Sequence, residues 1–152
     1  MRRLTKGLIA AVLLAGGAYT YTQANAALPV GATAPDVTTD AVLAGKPFPF
    51  RLGEALKKGP VVLYFFPAAF TSGCTIEAHD FSDATPQFAA NGATVIGLSH
   101  DPIDTLSKFS TTECRNRFAV GVASNAIISA WRVKLPVVSM SDRTSYVIAP
   151  DG

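Results

Sequence analysis

Apolar positions along the chain come in short blocks punctuated by Gly, Pro, Asn and Asp, and the blocks follow two different periods. Val61-Val-Leu-Tyr-Phe-Phe66 is unbroken and rich in β-branched and aromatic residues, the pattern of a strand covered on both faces, as in a parallel sheet. Thr94-Val-Ile-Gly-Leu-Ser99 is a second such strand, Phe118 to Val122 a weaker one, and Thr144 to Ile148 a last one before the turn signal Pro150-Asp-Gly152. Between them the spacing turns helical. A helix is predicted from about Cys74 to Asp83, where Thr85-Pro86 reads as a fresh N-cap with Pro at the first helical position, giving a kink or a second helix to Ala90. Asn91-Gly92 closes it. Asp101-Pro102 opens the next helix by the same logic and carries it to about Cys114, and Asn125 to Trp131 is a short helix with Ile127, Ile128 and Trp131 on one face. Upstream, Ala27 to Asp36 is a surface lead-in, Asp40 to Phe50 an irregular hairpin turning at Gly45-Lys46-Pro47, and Leu52 to Lys58 a short helix ended by Gly59-Pro60.

Strands alternating with helices over short connections predict an α/β sandwich with parallel strand pairs and an antiparallel hairpin at the end. The strand that would answer Thr144–Ile148 across the final turn is expected beyond Gly152, so the C-terminal part of the domain is read as missing. The N-terminus has a different character. Met1-Arg-Arg-Leu-Thr-Lys6 is basic, Gly7 to Gly16 is a short Ala- and Leu-rich run, and Ala24-Asn25-Ala26 offers a small-x-small cleavage site. Residues 1–26 are therefore expected to be a cleavable secretory signal peptide, with an uncleaved anchor as the alternative, and 27–152 the single folded domain. The expected location is the bacterial periplasm, with no membrane attachment after cleavage.

Charge changes the picture once the signal is set aside. Of 13 Lys and Arg, three (Arg2, Arg3 and Lys6) lie in it, leaving ten against 11 acids, a net charge of −1. No basic cluster of the size needed for phosphate-backbone contacts remains, which excludes a nucleic-acid partner. Both cysteines, Cys74 and Cys114, lie in the exported part, where thiols can oxidise.

Cys74 is the residue whose setting carries chemistry. The strand Val61–Phe66 runs into the loop Pro67-Ala-Ala-Phe-Thr-Ser-Gly73, which delivers Cys74 to a helix N-terminus, where free amides and the helix dipole favour a thiolate. Taking a thiol from about 8.5 to about 6 requires about 3.4 kcal/mol of selective thiolate stabilisation. A helix N-terminus supplies about 0.3–2 kcal/mol of that. A nearby cation is needed for much of the rest, and Arg143, just before the final strand, is the candidate, with a plain surface arginine as the alternative.

Pro67-x-x-x-Thr71-x-x-Cys74 resembles the active-site signature of the peroxiredoxins, the thiol peroxidases that include alkyl hydroperoxide reductase and the thiol-specific antioxidants. Leu63-Tyr-Phe-Phe-Pro67 and Gly73-Cys-Thr-x-Glu77 are similar to the same family, particularly its bacterioferritin-comigratory-protein branch. Val95-Ile-Gly-Leu-Ser-x-Asp101 and Arg143-Thr-Ser-Tyr-Val-Ile-x-Pro-Asp-Gly152 resemble its next strand and its arginine-bearing strand, so the likeness runs from about Pro35 to Gly152 in three ordered blocks. The resemblance implies a thioredoxin-like fold, a central mixed sheet flanked by helices, and reduction of hydrogen peroxide or organic hydroperoxides. It implies that Cys74 attacks the O–O bond and becomes a sulfenic acid, that Thr71 hydrogen-bonds thiolate and peroxide, that Pro67 shields the sulfur, and that Arg143 holds the charges. The expected partners are the hydroperoxide and an external thiol or disulfide reductant of the cell envelope, with no cofactor or metal, in a monomer or weak dimer.

Two positions depart from the pattern. Many members of that branch place a resolving cysteine five residues after the first, where this chain has His79. At about 100° per residue His79 lies well round the helix from Cys74, with Glu77 and Ala78 nearer its face, which disfavours a Cys–His catalytic pair. Cys114, on the following helix with Ile103, Ser107 and Ser110 on its face, is the candidate resolving cysteine; the alternatives are an inert packing cysteine and a one-cysteine cycle with an external thiol. Other functions weighed are a thioredoxin-like thiol–disulfide exchanger, which lacks the first cysteine of a C-x-x-C pair, an exported metal chaperone, for which His79 and His100 are poorly spaced, and a non-enzymatic domain held by a Cys74–Cys114 disulfide.

Overall fold

The computed structural model describes residues 26–152, and the expected signal segment therefore lies almost wholly outside the described residues. The strands are β1 (Thr38–Leu43), β2 (Lys46–Arg51), β3 (Val61–Phe65), β4 (Thr94–Ser99), β5 (Ala119–Val122) and β6 (Ser145–Ile148). The helices are α1 (Leu52–Leu56), α2 (Ser72–Ala90), α3 (Ile103–Thr112) and α4 (Asn125–Ala130). One mixed sheet of six strands runs in the order β2-β1-β5-β4-β3-β6. The central β3–β4 and β4–β5 pairs are parallel, and β1–β2, β1–β5 and β3–β6 are antiparallel.

The continuous apolar run of β3 is explained by two cores, one on each face of the sheet. Val61, Leu63 and Phe65 point into a layer with Ile96, Leu98, Ile128 and Trp131, on the side of α1 and α4. Val62, Tyr64 and Phe66 point the other way, into a layer with Cys74, Ala78, Leu106, Phe109 and Cys114 from α2, α3 and the turn that follows α3. Period-two alternation in a strand sandwiched between helices thus assigns both cysteines to the same layer.

Three local expectations are corrected. The β1–β2 hairpin is regular, with six residue pairs, and turns at Ala44-Gly45, not at Gly45-Lys46-Pro47. Ala44 (φ 52°) and Gly45 (φ 74°) both take the left-handed conformation that a two-residue turn matching strand twist requires. Thr85-Pro86 does not break α2, which is one helix of 19 residues with Pro86 inside it. Thr85 is no N-cap; its hydroxyl donates to the Phe81 carbonyl one turn back at 2.7 Å. An interior proline costs about 3 kcal/mol, and Phe88 after it, packed on the same core layer and stacked on Phe81 at 6.2 Å between centroids, ties the last turn to the helix before it. The third helix is capped by Pro102 rather than Asp101, ends at Thr112 before Cys114, and buries Leu106, Phe109 and Ser110. The final strand β6 pairs antiparallel with β3 at the edge of the sheet.

The position of β6 matters most for function. Because it runs antiparallel to β3, the start of β6 lies beside the end of β3, and Phe65 donates its amide to the Thr144 carbonyl at 2.9 Å. Residues just before β6 therefore reach the loop that leaves β3.

Gly97 of β4 makes room for Tyr64. A Cβ there would sit 2.6 Å from Cε1 and Cζ of the Tyr64 ring, whose other side stacks on Phe81 at 4.2 Å between centroids. Gly97→Ala is expected to cost about 1–3 kcal/mol by overpacking, read as a lower urea midpoint with an unchanged slope. A midpoint equal to the parent's would show that the ring has somewhere else to go.

Candidate active site

The loop after β3 is held at several points. The Phe66 amide donates to the Leu98 carbonyl at 3.0 Å, and the Phe66 carbonyl accepts from the buried Ser141 hydroxyl, also at 3.0 Å. The Ala69 amide donates to the Asp101 carboxylate at 2.8 Å, and that same carboxylate oxygen accepts from the Ser99 hydroxyl. Asp101 is thus not the N-cap of α3 but a staple between the end of β4 and this loop. Phe70 takes a left-handed φ of 64° and sets its ring edge-on to Phe109 of α3 at 5.3 Å. A non-glycine residue in that region is disfavoured and persists only where its surroundings over-determine it.

The loop ends at Thr71, which takes the N-cap position of α2 by backbone conformation without a side-chain cap bond. Its hydroxyl donates instead to the Ala68 carbonyl at 3.0 Å, leaving the oxygen's lone pairs available. The Thr71 carbonyl accepts from Thr75 at 2.9 Å, so the amides of Ser72, Gly73 and Cys74 are the unpaired donors of the first turn. Cys74 is the third residue of the helix and is 1% exposed. The half-buried Pro67, which has no amide to satisfy, begins the loop.

Arg143 completes the arrangement. Its Nη2 donates to Cys74 Sγ at 3.5 Å. The guanidinium lies across the backbone of Gly73: a Cβ at that position would stand 2.7 Å from Nη1 and 2.8 Å from Cζ, well inside contact distance. Gly73 is therefore glycine because the cation needs the space. Glu77, one turn after Cys74, has a buried Oε2 with no hydrogen-bond partner among the described residues. Desolvation raises its carboxyl above the usual range, a rise opposed by Arg143 and reinforced by Asp80.

The structure thus brings Arg143 to Cys74, with Thr71 at the N-cap of the same helix and Pro67 at the start of the loop that leads to it, while Cys114 lies on another element of the same core layer. Both thiols are free. Cys114 is fully buried in the turn after α3, and burial, reinforced by Glu113, pushes its thiol far above the ordinary range. Sequence reasoning missed Asp101, Ser141 and the packing role of Gly73; the motif Ser99-x-Asp101 is visible, but only the fold shows that its carboxylate reaches Ala69. His79 faces away from Cys74 as expected and meets Glu113 at 2.9 Å.

Two outcomes follow from this geometry. Gly73→Ala expels the guanidinium from its seat, and loss of a hydrogen bond to a charged partner is expected to slow alkylation of Cys74 by iodoacetamide at neutral pH by roughly 10- to 100-fold. Arg143→Gln should match it, and unchanged alkylation in both would remove the cation from the account. For Glu77, the folded state holds a proton that the unfolded state has already lost as pH rises above the ordinary carboxylate range, so stability falls through that window. Glu77→Gln should flatten this fall in urea melts taken from about pH 4 to about pH 8; equal slopes in variant and parent would count against it.

Comparison with known proteins places these residues in a family. A model of the AhpC/TSA family matches residues 30–152. A Mycobacterium tuberculosis protein provisionally named peroxiredoxin Rv1608c is 37% identical over 106 residues, 68% of this chain and 69% of that protein. The chloroplastic peroxiredoxin Q of Sedum lineare is 31% identical over 97 residues, 63% of this chain and 52% of that one. Among solved structures, peroxidoxin BcpB of Mycobacterium tuberculosis superposes with a TM-score of 0.71 at 33% identity, covering 80% of this chain and 79% of that one. With a matching family model over its described domain, a thioredoxin-like sheet and a cysteine at the head of α2, the chain belongs to the AhpC/TSA family of peroxiredoxins, which are thiol peroxidases.

Proposed function

We propose that the protein reduces hydroperoxides at Cys74, with Arg143 and Thr71 binding the peroxide and Cys114 resolving the oxidised thiol. The observation that carries this reading is the 3.5 Å contact between Arg143 Nη2 and Cys74 Sγ at the unpaired amides of the first turn of α2. The Cys74 thiolate attacks one oxygen of the O–O bond. An S–O bond forms, the O–O bond breaks, and the departing oxygen leaves as hydroxide or alkoxide and takes up a proton, so that the sulfur ends as sulfenic acid. Negative charge moves from sulfur to oxygen during this step, and fixed donors that follow it lower the barrier. The guanidinium offers several N–H groups in one plane, so it can hold sulfur and peroxide oxygen together. Thr71, whose proton is committed to Ala68, accepts the peroxide O–H and orients it. Pro67 and the pinned loop keep water from the sulfur, consistent with a Cys74 that is almost fully buried.

Regeneration then needs a thiol. Cys114 lies in the same core layer as Cys74, which supports an internal disulfide formed after local opening. An external thiol of the cell envelope would reduce it, in keeping with the export signal read at residues 1–26, a periplasmic location and a monomer or weak dimer. The structure gives the thioredoxin-like exchange reading no help, because Thr71 occupies the place of the first cysteine of a C-x-x-C pair at the helix start.

The test is direct. Reduced protein mixed with one equivalent of hydrogen peroxide should lose the Cys74 thiol at once and then yield a product lighter than the dithiol by two hydrogen atoms. Cys114→Ser should stop at a sulfenic or over-oxidised Cys74. Thiols that survive minutes of micromolar peroxide would overturn the peroxidase reading, and a parent that turns over without any disulfide would replace Cys114 by an external thiol.

A further inference from the structure

The turn carrying Cys114 is fastened to α2 residue by residue. Glu113 Oε2 meets His79 Nε2 at 2.9 Å, the Cys114 carbonyl accepts from the Ser82 hydroxyl at 2.9 Å (a proton shared with the Ala78 carbonyl at 2.8 Å), and Arg115 Nη1 donates to Asp83 Oδ1 at 3.0 Å. His79, Ser82 and Asp83 stand at i, i+3 and i+4, which is one face of a helix, so three consecutive residues of the turn are gripped by one stripe of α2. The grip holds a backbone that is not relaxed. Arg115 (φ 50°) and Asn116 (φ 60°) are consecutive non-glycine residues in the left-handed region. Backbone bonds from Cys114 N to Phe109 O and from Asn116 N to Ser110 O close the turn onto the end of α3. Inside it the Cys114 side chain is fully buried.

We propose that His79, Ser82 and Asp83 form a latch that keeps Cys114 sequestered in the reduced protein, and that release of this latch sets the rate at which Cys114 closes a disulfide with Cys74. The second half rests on Cys114 being the resolving thiol. While the turn is closed, Cys114 is shut off from water and burial keeps its thiol protonated, so it is not a nucleophile. When the turn opens, the strained pair relaxes and the thiol ionises in water. Its thiolate then attacks the Cys74 sulfenic sulfur; the S–S bond forms, the S–O bond breaks, and the oxygen leaves as hydroxide, which takes the proton the thiol released. His79, at the position where the resemblance leads one to look for a resolving cysteine, thus controls the access of a cysteine elsewhere.

The three ties differ in exposure, and this ranks the variants. Asp83 is 74% exposed in its side chain and contributes least, His79 and Glu113 are 35% and 21% exposed, and the Ser82 bond is buried. The latch is read without peroxide in the full chain carrying Cys74→Ser, by mass-spectrometric timing of Cys114 alkylation with iodoacetamide. Glu113→Gln and His79→Ala should each accelerate it about 2- to 5-fold, Ser82→Ala about 3- to 10-fold, and Asp83→Asn least. With Cys74 present, the same substitutions should leave the first oxidation by peroxide unchanged, speed disulfide formation and reduce over-oxidation of Cys74. Equal alkylation rates in all variants, with a disulfide still forming in the parent, overturn the latch alone. Faster alkylation without any disulfide in the parent overturns the resolving role and the rate claim tied to it. Glu113→Gln keeps the shape of the side chain, so its result stands even where a core variant loses its fold.

Discussion

A guanidinium resting on a glycine is the contact on which the site depends. Arg143 reaches Cys74 only because Gly73 leaves its backbone bare, and only because β6 pairs antiparallel with β3 and so begins where β3 ends. Neither condition is local to the cysteine. A cation on an exposed side chain would be largely screened if it met the sulfur in open water. Arg143 is itself exposed, but the sulfur it meets is 1% exposed and the guanidinium lies close against Gly73, so the contact is made at the edge of the core, where charges act more strongly than in open water. The sheet topology is thereby converted into chemistry: the order β4-β3-β6 carries an arginine from the far end of the chain to the head of α2.

That contact would be of little use if the loop between β3 and α2 could wander. It is pinned from two other elements, by Asp101 at the end of β4 and by Ser141 ahead of β6, and it stores a left-handed Phe70 against Phe109 of α3. A reacting sulfur must be held within a fraction of an ångström of its partners, and rigid scaffold elements do this better than loops alone. Each pin comes from a different strand end, which is why the loop sits at the edge where β3 and β4 finish. The same arrangement commits the proton of the Thr71 hydroxyl to its own loop through Ala68 and leaves the oxygen as an acceptor.

Much of this was legible in the residues. The unbroken run Val61–Phe66 gave a strand with two covered faces, Thr94–Ser99 was placed to the residue, and the expected reach of Arg143 to Cys74 is a contact the fold makes. What was not legible depended on tertiary bonds. Pro86 reads locally as a helix start, yet α2 runs through it, since Phe88 beyond it packs on the same core layer and Thr85 is turned back onto Phe81. Asp101 reads as an N-cap by propensity, but its carboxylate has a stronger use 32 residues away, at Ala69. In each case a local preference lost to a partner that sequence spacing does not reveal.

The two cysteines make the sharpest contrast, because burial does not separate them. Cys74 is 1% exposed and Cys114 fully buried, both in one apolar layer. Their difference lies in what faces the sulfur: an arginine and free helix amides at Cys74, and at Cys114 apolar side chains with the acidic Glu113 next in sequence. A buried thiol without a compensating charge stays protonated, and inside the core that is the state of Cys114. The turn that carries it is fastened to one stripe of α2 through Glu113, Cys114 and Arg115. Its closure is therefore a property of three side-chain bonds, separable from the Arg143 contact that faces Cys74.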